Sequence, residues 1–197
     1  MKWFIVVGLI LMIFVIFVIG CSPDNGKTIN DNSDNKKIND EKNDEIIDEV
    51  VNMKLTSPAF GNNGKIPSEY TCDGSDTSPE LNIESVPKNA KSLVLINDDP
   101  DAPVGTWDHW IVFNIPPTIA KISKGEEPAG IGGKNSWGRT GYGGPCPPSG
   151  THRYFFKLYA LDTMLSLEEG ATKKQIETAM QGHVIVKAEL MGTYKGQ

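Results

Sequence analysis

RYFFKLYAL (153–161) decides the architecture: from Tyr154 to Leu161 only Lys157 interrupts an apolar run that covers both faces of an extended chain. That pattern belongs to a central strand with layers on two sides. Downstream, HVIVKAEL (183–190) alternates Ile185, Lys187 and Glu189 with Val184, Val186 and Ala188, the period-two signature of a strand with one wet face. Upstream, MKLTSPAF (53–60), SLVLIN (92–97) and DHWIVFNI (108–115) supply three more runs of strand character. The one convincing helix follows Thr172, which forms a capping box with Gln175 ahead of IETAM. Long Gly-, Pro-, Ser- and Asp-rich connections separate these segments, so residues 53–197 read as a single mostly-β domain with functional loops.

The chain before residue 53 has a different character. An uncharged apolar run from Trp3 to Ile19 would span roughly 25 Å as a helix, somewhat short of the ~30 Å bilayer core. Val18, Ile19, Gly20 and Cys21 then resemble a lipobox, which marks 1–21 as a signal peptide with Cys21 as the lipidated residue; an uncleaved single-pass anchor is the alternative. Both place the rest of the chain outside the cytoplasm, at the cell membrane. Residues 22–52 are mostly Asn, Asp, Lys, Glu and Ser and cannot bury enough apolar surface to offset ordering, so they read as a disordered tether. This stretch holds nine acids and four bases. Of the chain's net −6 it carries −5 and Lys2 carries +1, which leaves −2 on the folded remainder. No large basic surface is left for nucleic acid.

Ionisable residues gather in three loop-proximal clusters: Asp98, Asp99 and Asp101 in DDPDAP (98–103), Trp107 and His109 in WDHW (107–110), and GGPCPPSGTHRY (143–154) with Cys146, Ser149, His152 and Tyr154. Each lies at a strand end, where loops from one sheet edge can converge. Nucleotide binding is discarded, because GIGGKN lacks the Ser or Thr of a P-loop and GYGGPC completes no dinucleotide fingerprint. Neither GxSxG nor HExxH occurs.

Together YTCDGSDTSPEL (70–81), LVLINDDPDAPVGTWDHWIVFNIP (93–116), YGGPCPPSGTHRYFFKLYALD (142–162) and GHVIVKAELMGTY (182–194) resemble, in order, the phosphatidylethanolamine-binding protein family. The resemblance is specifically to its bacterial and archaeal branch, the Raf-kinase-inhibitor-like proteins of YbhB/YbcL type. The resemblance implies a central antiparallel sheet packed on a smaller one, with helical segments near the C-terminus. It implies a cofactor-free, metal-free anion pocket at Asp99, Trp107, His109, Gly144, Pro148, His152 and Tyr154. A tyrosine that eukaryotic members add from a C-terminal helix has no counterpart here, so the pocket should be more open on that side.

The residues agree with that implication. Two imidazoles can donate N–H groups to a phosphate, with the Tyr154 hydroxyl as a further donor. Asp99 can pair with a ligand's amine and Trp107 can offer a cation–π face, so a zwitterion such as a phosphoethanolamine headgroup suits both signs. The leading reading is a non-enzymatic ligand-binding module that acts on an unidentified protein target, as inhibitors in this family do. One alternative is a hydrolase with Cys146 or Ser149 as nucleophile and His152 or His109 as base. Another is a metal site built from Asp99, Asp101, His109 and His152. Once Cys21 carries lipid, Cys72 and Cys146 remain as an even pair, which in an exported domain suggests a disulfide. The N-terminal reading predicts that the mature chain begins at Cys21 and partitions into detergent. Cys21→Ala should leave an unprocessed precursor, whereas native protein retaining Met1 in the membrane fraction would establish the single-pass anchor instead.

Overall fold

The computed structural model describes residues 52–196; the apolar run, Cys21 and the tether up to Val51 lie outside them. Nine strands and one α-helix follow in order: β1 (Lys54–Thr56), β2 (Gly64–Lys65), β3 (Leu81–Glu84), β4 (Ser92–Asp99), β5 (Trp107–Ile115), β6 (Lys121–Ile122), β7 (Ile131–Gly132), β8 (Thr151–Leu161), α1 (Lys173–Met180) and β9 (Val184–Lys195). Six of them form a large sheet in the order β2-β9-β8-β4-β5-β7, antiparallel except where β2 joins β9. A smaller antiparallel sheet, β1-β3-β6, packs on one face. The mostly-β, two-sheet expectation holds.

Between the sheets lies the main core, with Leu55 and Ile83 from the small sheet against Leu95, Trp110, Phe156 and Leu190 from the large one. A second core on the opposite face packs Val94, Ile96, Ile111 and Phe113 beneath Ile176 and Met180 of α1. Thr172 caps that helix as its sequence implied, its hydroxyl accepting from the Gln175 N–H while the Gln175 side chain accepts from the Thr172 N–H.

The doubly covered strand is β4, whose eight residues are all buried. β8 is central but only half matches the two-sided reading. His152, Tyr154, Phe156, Leu158 and Ala160 are buried on one face, while Phe155, Lys157 and Tyr159 are half-buried on the other. The reason is length: eight helical residues span about 12 Å, and the core beneath α1 is drawn chiefly from β4 and β5. β9 also runs past residue 190, pairing with β8 from Val184 to Lys195.

Cys72 and Cys146 form a disulfide, with Cα atoms 5.4 Å apart, that closes a 74-residue separation in sequence. A loop of that size corresponds to about 4 kcal/mol of chain-entropy stabilisation. The β4 core makes its own prediction: Leu95→Ala, at a fully buried position, should lower the unfolding free energy by about 2–5 kcal/mol in urea titrations.

Candidate functional site

Because β5 and β8 both run antiparallel to β4, the end of β4 lies beside the starts of the other two, with Asp99 opposite Trp107 and Asp98 opposite Phe155. The three clusters separated in sequence therefore meet at one sheet edge. There they surround a cavity of about 270 Å³ lined by Asp99, Trp107, His109, Trp137, Pro148 and His152, with Ala102, Pro103, Val104 and Cys146 completing the wall. That volume is at the small end of ligand sites, which run roughly 300–1,000 Å³. It suits a small molecule.

His109 reaches the cavity through a bulge. Asn97 pairs with Trp110 while Asp98 pairs with Asp108, so His109 is the extra residue of β5. Strict alternation would send His109 and Trp110 to opposite faces; the bulge puts both on the face shared with Asp99 and leaves Asp108 on the other. On that other face Lys173 bonds both Asp98 (2.6 Å) and Asp108 (2.9 Å), and Lys157 bonds both oxygens of Asp98 (2.8 Å each). Burial opposes the charge of Lys173, but its hydrogen bonds to the two aspartates prevail and raise its pKa.

Within the cavity, His152 Nδ1 donates to Asp99 Oδ2 at 2.7 Å, and both side chains are buried. Asp99 Oδ1 accepts from the Asp101 N–H (2.8 Å), which closes the turn after β4. His109 Nδ1 lies 2.7 Å from the Gly143 carbonyl oxygen, which only accepts, so Nδ1 carries the proton and Nε2 holds a lone pair. Burial lowers the His109 pKa below 6.5, against the opposing pull of the Gly143 carbonyl and nearby Asp99. Nε2 is buried without a hydrogen-bond partner, as is the Tyr154 hydroxyl, whose pKa burial and the Asp99 charge push far above 10.

These facts revise several sequence expectations. Neutral His109 cannot donate to an anion, because its one N–H is committed to Gly143; it becomes a donor only when Nε2 takes up a proton. Tyr154 does not line the cavity. Its ring lies edge-on beneath His109, centroids 5.2 Å apart, and supports it. Gly144 is structural as well: a Cβ there would fall 2.4 Å from the Tyr70 carbonyl oxygen, and its N–H donates to Asp76 Oδ1 at 2.6 Å.

The hydrolase alternative loses its thiol, since the Cys146 sulfur is bonded to Cys72. Ser149 is exposed and makes no hydrogen bond to either histidine. The metal alternative is not assembled either. Asp101 turns outward to Arg153, whose hydrogen bonds hold its carboxyl down at about 2, and among the described residues no three His, Cys, Asp or Glu side chains converge to hold an ion.

Trp137 is the cavity-lining residue missed in the sequence. Its ring stands edge-on to both Trp107 (5.4 Å) and His109 (5.1 Å), and it lies so close over Gly143 that a Cβ there would come within 2.5 Å. Gly143 was its only local signal, and nothing in NSWGRT (135–140) points to a pocket.

A mainly apolar cavity with a few polar groups, at the strand ends of a two-sheet frame, defines a ligand-binding module, and comparison with known proteins specifies which kind. The sequence model of the phosphatidylethanolamine-binding protein family matches residues 56–195. A UPF0098 protein of Methanothermobacter thermautotrophicus is 52% identical over 73% of this chain and 99% of its own length. Among solved structures, a phosphatidylethanolamine-binding protein homologue from Chlamydia trachomatis is 48% identical, covering 75% of this chain and 99% of its own, with a TM-score of 0.73. YbcL of E. coli, described as a member of the mammalian family, is 30% identical over 74% of this chain and 99% of its own, with a TM-score of 0.69. The chain belongs to the phosphatidylethanolamine-binding protein family.

The lowered pKa of His109 predicts acid sensitivity. Between its folded value and 6.5 the unfolded chain binds a proton that the folded domain does not, so stability is complete above 6.5 and declines as pH falls through that window. Urea midpoints measured from pH 7.5 to 5 should fall, and His109→Gln should flatten the fall. The Asp101 contribution is separate, since it is lost only as pH drops from 3.8 toward about 2.

Proposed function

We propose that the domain binds a small phosphate ester with an attached amine, a phosphoethanolamine-like headgroup, and that a lipid on Cys21 holds it at the outer face of the cell membrane. The observation that carries this reading is the Asp99–His152 pair. With Nδ1 turned to Asp99, His152 presents its Nε2 edge to the cavity, where its protonated form donates to a phosphate oxygen. The carboxylate behind it attracts the ligand's amine, and the perpendicular Trp107 and Trp137 rings offer cation–π faces to the same group.

The mouth of the cavity supports a lipid as the source of the headgroup. Val104 is 78% exposed and Trp137 44% exposed, and with Pro103 and Pro148 they form an apolar rim around a polar floor. An amphipathic ligand matches that arrangement, with its charged end inside and its hydrocarbon against the rim. His109 adds a proton-linked contribution: an anion beside Nε2 favours its protonated form, so binding takes up a proton.

The test uses glycerophosphoethanolamine, a diester whose charge is constant between pH 5 and 8. Calorimetry should show affinity rising as pH falls, with net proton uptake. His152→Ala should weaken binding by about 1–3 kcal/mol. Asp99→Asn should weaken this zwitterion while strengthening a simple phosphate. Unchanged affinity in both His109→Ala and His152→Ala would place the anion elsewhere and sink the reading.

A further inference from the structure

Both cysteines of the Cys72–Cys146 bond are exposed residues, and Cys146 is itself part of the cavity wall. Structural disulfides are ordinarily sheltered, whereas exposed ones are the labile class in thiol exchange. Its surroundings are also asymmetric. Cys72 is followed by two exposed carboxylates, Asp73 and Asp76, while Cys146 faces a cavity whose one carboxylate, Asp99, is already paired with the imidazole of His152. We propose that this disulfide is an exchange site for small anionic thiols, and that its opening at Cys146 closes the pocket to its ligand.

The step balances without any further reagent. The thiolate of the incoming molecule attacks Sγ of Cys146, a new S–S bond forms to Cys146, and the old one breaks with its electron pair on Cys72, which takes a proton from water. Attack at Cys146 leaves the substituent in the cavity wall, where it occupies space the headgroup needs. The acids beside Cys72 disfavour an anionic thiol at the other sulfur.

Three contacts survive the opening. The Cys72 N–H donates to the Pro145 carbonyl (3.1 Å), Gly144 N–H donates to Asp76 (2.6 Å), and the Tyr142 hydroxyl donates to the Tyr70 carbonyl (2.7 Å). They keep the two segments together, so the domain stays folded and Cys72 remains beside the mixed disulfide, ready to expel the thiol. Modification is therefore reversible, and its extent follows the thiol concentration.

The experiment incubates the full chain with millimolar mercaptoacetate, or with cysteamine as a cationic control, quenches in acid, and maps the adduct by mass spectrometry. The expected result is a mercaptoacetate adduct on Cys146 that exceeds the cysteamine adduct, forms with the circular dichroism spectrum unchanged, and disappears when the thiol is removed. Affinity for glycerophosphoethanolamine should fall at least tenfold in the adduct. That last readout alone rests on the headgroup reading. A protein that exchanges at Cys146 but never bound the headgroup would overturn that reading and leave the exchange site standing. A disulfide that survives until the domain unfolds, an adduct on Cys72, or full headgroup affinity in the Cys146 adduct would each overturn the proposal.

Discussion

Asp98 is a carboxylate with 1% exposure, held by the ammonium groups of Lys157 and Lys173. Burying such a charge is tolerable only because both oxygens are paired, and removing one partner of a buried pair typically costs about 3–5 kcal/mol. The arrangement reaches four elements: β4 through Asp98, β5 through Asp108, β8 through Lys157 and α1 through Lys173. Strand ends ordinarily fray. Here the end of β4 and the start of β5 are pinned to the middle of β8 and to α1 from the face opposite the cavity.

Pleating turns that pin into function. Asp98 and Asp99 are consecutive, so they point to opposite faces of the sheet, and fixing the first sets the position of the second. The same holds on β5, where Asp108 faces Lys173 and His109, displaced by the bulge, faces the cavity. One side of the sheet holds the frame by paired charges, and the other presents Asp99, His152 and His109 with little freedom to move. The polar groups of the pocket are thus set before any ligand arrives, which limits the ordering that binding has to bring about.

The long strands were legible because each carries three or four consecutive apolar residues, and the capping box showed the helix because Thr172 and Gln175 are local partners. β2, β6 and β7 have two residues each, too few to carry a period, and their positions follow from tertiary pairing alone. Asp99, Trp107, His109, Pro148 and His152 were found because they stand in recognisable strings, and all five line the cavity. The roles of Gly144 and Tyr154 were not legible: one depends on a close approach to Tyr70, the other on a ring set edge-on beneath His109. The His109 proton was hidden too, since it is set by a carbonyl 34 residues away in sequence.

β9 is the last strand among the described residues, yet it lies inside the large sheet, between β2 and β8. Until Lys195 has emerged during synthesis, β8 keeps one edge of backbone N–H and C=O groups unpaired and β2 has nowhere to dock. Such an edge is a template for pairing with other chains. Between the emergence of β8 and that of β9 the nascent domain therefore carries an open edge at which pairing with other chains competes with folding.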